Sequence, residues 1–197
     1  AAGNDTGLAV SAPANCPGAL AVAGLRQFGS KVGYSNIGPE VAIAAPAGNC
    51  VNLSGACLYP LLTTTNLGTK APGDNGYSDS YKATLGTSFA APLVAGTVAL
   101  MLSADSTLSA TRIREALQKT ARAFPTSGSG ADITACRAPD TTDQLECYCT
   151  TSTCGAGMLD AAGAVNLVYQ ATLAPTGSAV AIAGPPRLVT LEARLRF

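Results

Sequence analysis

The feature that most limits how this chain can fold is an uncharged stretch from residue 86 to residue 104, GTSFAAPLVAGTVALMLSA. Small and aliphatic residues without a charge over that length read as a helix across residues 90–104, buried on every side in a domain core. Its longest apolar run, residues 94–102, falls short of the ~20 residues a membrane helix needs, so no membrane span is expected. Pro92 is placed in the first turn or so, where a missing N–H costs little. Ser88 then lies where unpaired N–H groups and the positive end of the helix dipole are aimed. That setting favours negative charge at the serine oxygen, as an attacking alkoxide and an oxyanion both require. The plain alternative is a serine that only caps an apolar helix.

Composition narrows the function classes. At 197 residues and 47% apolar, the chain can bury the core of one ordinary domain. Twelve basic residues balance twelve acidic ones, which argues against nucleic acid or an anionic membrane surface as partner. Seven cysteines without metal-ligand spacing suggest an oxidising compartment and a secreted protein. Histidine is absent, and with it the usual base for a serine nucleophile.

Upstream of the serine, Ala1-Ala2-Gly3-Asn4 suits the end of a buried strand whose small residues let the Asn4 amide project; Gly-Asn is also a common turn pair. Residues 19–25 and 41–45 read as strands, the second ended by Pro46. Residues 58–65 read as a further strand and residues 68–80 as a polar loop. In that loop Asp74, Asn75 and Asp79 offer the oxygen atoms that calcium takes, with a solvated turn as the alternative. Residues 107–121 form an amphipathic helix with Leu108, Ile113, Leu117 and Ala121 inward and Glu115 four residues before Lys119 on the solvated face. A last helix is placed at residues 160–169. Residues 171–197 are read as a separate tail, a linker and a terminal hairpin with Val189, Leu191, Ala193, Leu195 and Phe197 alternating along one strand.

Cysteines pair by proximity in this reading. Cys50 and Cys57 close a local loop. Cys136, Cys147, Cys149 and Cys154 allow three pairings, of which Cys136–Cys147 with Cys149–Cys154 is expected. Cys-x-Cys and Cys-x4-Cys are not zinc-ligand pairs, so structural disulfides are preferred and no metal is assigned. Cys16 is left unmatched.

The run Gly86-Thr87-Ser88-Phe89-Ala90-Ala91-Pro92-Leu93-Val94-Ala95-Gly96 resembles the serine signature of the subtilisin-like serine proteases at every fixed position. The resemblance covers residues 1 to about 170, the C-terminal half of that catalytic domain. It extends to Ser35-Asn36-Ile37-Gly38, like the family's Ser-Asn-x-Gly turn, and to Gly155-Ala156-Gly157-Met158-Leu159-Asp160-Ala161, like its entry to the last helix. The implied fold is α/β, half of a parallel sheet with flanking helices, incomplete without an N-terminal partner segment and followed by a C-terminal β-hairpin. Ser88 is then the nucleophile, Asn4 an oxyanion donor, and Thr87 a support of that region. Ala2, Gly3, Ser11 and Ala12 line the primary specificity pocket, and Ala12–Pro13 is the candidate for a cis bond.

Family members use a Ser-His-Asp triad in the chain order Asp, His, Ser. The resemblance therefore implies that Asp and His belong to the N-terminal half of the same protease, a separate chain or segment, with Cys16 as a site for a disulfide to it. The implied activity is a serine endopeptidase acting on peptides or proteins through a Ser-acyl intermediate, with no cofactor required and calcium only as a structural ion. This chain alone is expected to be inactive. The rival reading is a catalytically silent fragment serving as a binding or structural subunit.

Overall fold

The computed structural model describes residues 1–48, 61–78 and 85–173. The expectations for Cys50, Cys57, Asp79 and the tail from residue 174 lie outside the described residues.

Two short strands form the centre. β1 (Ala21–Leu25) and β2 (Val41–Pro46) pair in parallel, with Ala23 opposite Ala44 and Gly24 opposite Ala45. Every residue of β1 is buried, as a strand covered on both faces must be, and this explains its continuous apolar sequence. Along its other edge Ala2 N–H donates to Val22 O at 2.9 Å, so the Ala1–Gly3 stretch lies beside β1.

Alternate strand residues divide the core in two. On one side Val22, Ile43 and Ala45 meet Ala90, Val94 and Met101 of α1 (Thr87–Ala104), Leu117 of α2 (Ala110–Thr120), and Ala164 and Val168 of α3 (Ala161–Leu173). On the other side Ala21, Ala23, Leu25 and Ala44 pack with Ala2, Val10 and Ile37 against the cysteine-rich segment. The structure pairs Cys136 with Cys147 and Cys149 with Cys154. The sulfur atoms of Cys136, Cys149 and Cys154 lie close together, yet each is committed to a disulfide. Arg26 is ion-paired with Glu146, and Ser30 Oγ donates to the other oxygen of that carboxylate at 2.6 Å, fastening the segment to the end of β1.

Helix boundaries follow local chemistry. Ser109 caps α2 by accepting from Arg112 N, and Asp160 Oδ1 accepts from Gly163 N at 2.7 Å ahead of α3. α3 runs one turn beyond the expected residue 169, to Leu173. α2 is shorter than the expected 107–121; in it Leu117 is buried and Ile113 half-buried, Leu108 and Ala121 flank it half-buried, and Glu115 and Lys119 form no ion pair among the described residues.

Four expectations are corrected. α1 is not buried on every side: Leu93 is 42% and Leu100 58% exposed, and Pro92, Ala95, Gly96 and Ala99 are exposed with them. Among the described strands and helices, β1, β2 and α3 make the main contacts with it. Nor is the helix short of membrane length: its 18 residues have a mean hydropathy of 1.6, enough by length and composition to cross a bilayer. Pro92 lies in the second turn, so its missing N–H deprives the Ser88 carbonyl of its helical partner. Residues 68–80 are not all loop, because β4 (Asn75–Ser78) pairs antiparallel with β3 (Thr63–Asn66). Asn66 Nδ2 donates to Asn75 Oδ1 and to Gly73 O, which closes this hairpin with side-chain bonds.

Candidate active site

Helix α1 presents its N-terminus to the Gly3-Asn4 segment. The preceding residue, Gly86, has φ +134°, a conformation that an L side chain rarely adopts. A Cβ there would also come within 3.3 Å of Asn4 Nδ2, so glycine keeps room for the amide.

Thr87 is fully buried and ties the two segments together. Its backbone N–H donates to Asn4 Oδ1 at 2.9 Å, and its hydroxyl donates to the same oxygen at 3.0 Å. Gly3 N–H in turn donates to Thr87 Oγ1 at 3.2 Å. A backbone N–H can only donate, so the amide orientation is forced: the oxygen faces Thr87, and the NH2 group is left on the exposed side. Asn4 and Ser88 are both exposed, and the amide is bound to the residue next to the serine.

The helix start also selects a backbone donor. Thr87 N–H is taken by Asn4, and Phe89 N–H donates to Gly86 O at 2.9 Å. The N–H of Ser88 lies between them, without a partner among the described residues. Asn4 Nδ2, Ser88 N and the Ser88 hydroxyl thus have no partner among the described residues. The 197 residues themselves contain no histidine.

The expected pocket residues separate. Ser11 and Gly3 are half-buried and Ala12 is exposed, but Ala2 is completely buried with its side chain in the core. Its place beside β1 puts its methyl in the core. Ser11 Oγ lies 3.2 Å from Asp5 Oδ2 and donates to it. Gly3 has φ +120°, and a Cβ would stand 2.4 Å from Asn36 Nδ2 and 2.6 Å from Ser11 Oγ, so no other residue fits. The Ala12–Pro13 bond is cis. Cys16 is exposed and unpaired in this structure. Asn75 belongs to β4, and Asp79 lies outside the described residues, so calcium stays an expectation.

Sequence reasoning passed over three side chains that frame this site. Tyr34 OH accepts from Gly86 N at 2.9 Å and donates to Ala47 O. Burial raises its phenol pKa to about 12, although the Gly86 N–H opposes the shift. Asn36 is fully buried and holds Asp5 with both ends of its amide. Lys31 is fully buried as well. The Ser-Asn-x-Gly turn was the only sign that these residues matter, and it says nothing of their partners.

With this geometry in hand, likeness to known proteins can be assessed. A profile described as the subtilase family matches residues 1–157. An extracellular protease of Xanthomonas campestris pv. campestris is 36% identical over 168 residues, which are 84% of this chain and 23% of that protein. The halolysin-like extracellular serine protease Nep of Natrialba magadii is 36% identical over 61% of this chain and 18% of its own length. Among solved structures, a protease from Pseudoalteromonas arctica superposes with a TM-score of 0.65 at 33% identity, over 85% of this chain and 41% of that one. Fervidolysin from Fervidobacterium pennivorans, at 22% identity and a TM-score of 0.50, shares the fold. The chain thus spans less than a quarter of the two curated relatives and about two fifths of the first solved one.

Proposed function

The chain belongs to the subtilase family, and from that premise we propose that it is the nucleophile-bearing part of a secreted serine endopeptidase. The Thr87–Asn4 hydrogen bonds carry this reading, because they tie the Asn4 amide to the residue before Ser88 and turn its NH2 group away from Thr87, without a partner among the described residues. A base from outside these 197 residues, the histidine of the family's triad, removes the Ser88 proton as the oxygen attacks a peptide carbonyl carbon. The carbonyl oxygen gains negative charge and accepts from Asn4 Nδ2 and Ser88 N, each donor being worth on the order of 3 kcal/mol of barrier. The base returns the proton to the leaving amine, and water then releases the acyl group.

The missing base fits the short span of this chain against its relatives, and the N-terminal half of the same protease is the proposed partner. The disulfides and the extracellular relatives support secretion. In the full-length protease Ser88→Ala abolishes peptide hydrolysis, and Asn4→Ala lowers kcat about 10²–10³-fold with KM little changed. Steady-state kinetics on a peptide substrate measure both. Hydrolysis that survives Ser88→Ala favours the rival reading of a silent subunit.

A further inference from the structure

A lysine is the largest fully buried side chain of the described residues. Lys31 Nζ has three protons and three acceptors, all in its own turn: Val32 O at 3.0 Å, Gly33 O at 2.8 Å and Ser35 O at 3.2 Å. Its backbone N–H donates to Cys147 O at 2.9 Å, so the disulfide segment lies over it. Burying an ammonium is unfavourable, and burial lowers the pKa of Lys31 to about 7 against the attraction of Glu146. An apolar residue would fill the same volume more cheaply. What the Lys31 amino group does, charged or neutral, that an apolar side chain cannot is hydrogen-bond the carbonyls of one turn at a single point.

That turn grips both halves of the site. Tyr34 O accepts from Thr6 N at 3.0 Å, Asn36 N donates to Gly3 O at 3.0 Å, and Asn36 Oδ1 accepts from Asp5 N at 2.6 Å. Asn36 Nδ2 is shared among Asp5 Oδ2, Ala9 O and Ser11 Oγ. The backbone on either side of Asn4 is therefore fixed to residues 34 and 36. On the other flank the Tyr34 hydroxyl receives Gly86 N–H, two residues before Ser88.

We propose that Lys31 and Tyr34 are positioning residues for the Ser88–Asn4 pair. The buried amino group of Lys31 folds the 32–36 turn around itself, and that turn sets the distance between the oxyanion segment and the start of α1. The inference rests on the function proposed above and adds residues that touch neither substrate nor reacting atoms.

Tyr34→Phe tests it in the full-length protease, because it keeps the ring and removes only the acceptor of Gly86 N–H. The expected result is a fall in kcat of about tenfold with KM within twofold, and a parallel fall in the rate at which a fluorophosphonate labels Ser88. Lys31→Met lowers kcat in the same way, and adding Tyr34→Phe to it lowers kcat no further, since both act through one turn. An unchanged kcat in Tyr34→Phe, or a change confined to KM, overturns the role of Tyr34. Additive losses, or a Lys31→Met protease that does not fold, overturn the role of Lys31 and leave it a purely structural residue. A wild-type enzyme that neither hydrolyses peptide nor labels at Ser88 refutes the proposed function instead.

Discussion

Lys31 gives the molecule a pH signature that follows from one side chain. Burial lowers its pKa from 10.5 to about 7, and Glu146, held by Arg26 and Ser30, is the facing charge that opposes the shift. Between pH 7 and 10.5 the unfolded chain keeps this proton and the folded chain has lost it. Unfolding then binds a proton, so stability rises with pH across that window, while below about pH 7 the full penalty is present. Urea unfolding of the Ser88-blocked full-length protease should show wild type gaining on Lys31→Met by about 1.4 kcal/mol per pH unit from pH 8 to pH 9.5. A difference that does not vary with pH contradicts the shift. Nothing in the sequence betrayed this residue. A lysine between Ser30 and Val32 reads as solvated, and its burial depends on Cys147, more than a hundred positions away. Ser88 and Asn4 stand out in the sequence because their small neighbours form a local pattern, and the structure joins their segments through Thr87. Tyr34 and Asn36 act across long separations in the chain, so only the fold reveals their partners.

Among the elements, the helix that opens on the serine departs most from what its residues imply. An uncharged helix calls for cover all round, and α1 has it on one face. Leu93 and Leu100 stand outward with Pro92, Ala95 and Ala99, an apolar stripe of the kind that ordinarily meets another chain segment. If the segment that supplies the base covers this stripe, burying Leu100 is worth about 1.5–3 kcal/mol, and a charge there forfeits that and more. Leu100→Glu should therefore destabilise the full-length protease by at least about 2 kcal/mol, read by calorimetry. An unchanged midpoint means that the stripe stays open to solvent. The two parallel strands and α2 were legible because their apolar spacing is local, although α2 starts only at Ala110, behind its Ser109 cap, and not at residue 107; α3 was legible from its family-like entry at residues 155–161. β4 was not: Asn-Gly-Tyr-Ser has the composition of a turn, and only its pairing with Thr63–Asn66 makes it a strand.

At the scale of the whole molecule, the proposed function divides the chemistry: this chain supplies the Ser88 hydroxyl and the Asn4 amide, and the base comes from outside its 197 residues, which contain no histidine. Thr87 fixes the Asn4 amide, and Ser88 N–H has no partner among the described residues. The proposal of a division rests on two facts of the sequence, a complete serine signature and a composition without histidine. One measurement bears on this directly: fluorophosphonate labelling of the 197-residue chain alone and of the full-length protease, mapped by peptide mass spectrometry. The expected result is a modified Ser88 in the full-length protein and an unmodified one in the isolated chain. Equal labelling of Ser88 in the isolated chain would show that its hydroxyl needs no base from elsewhere, and would contradict the account.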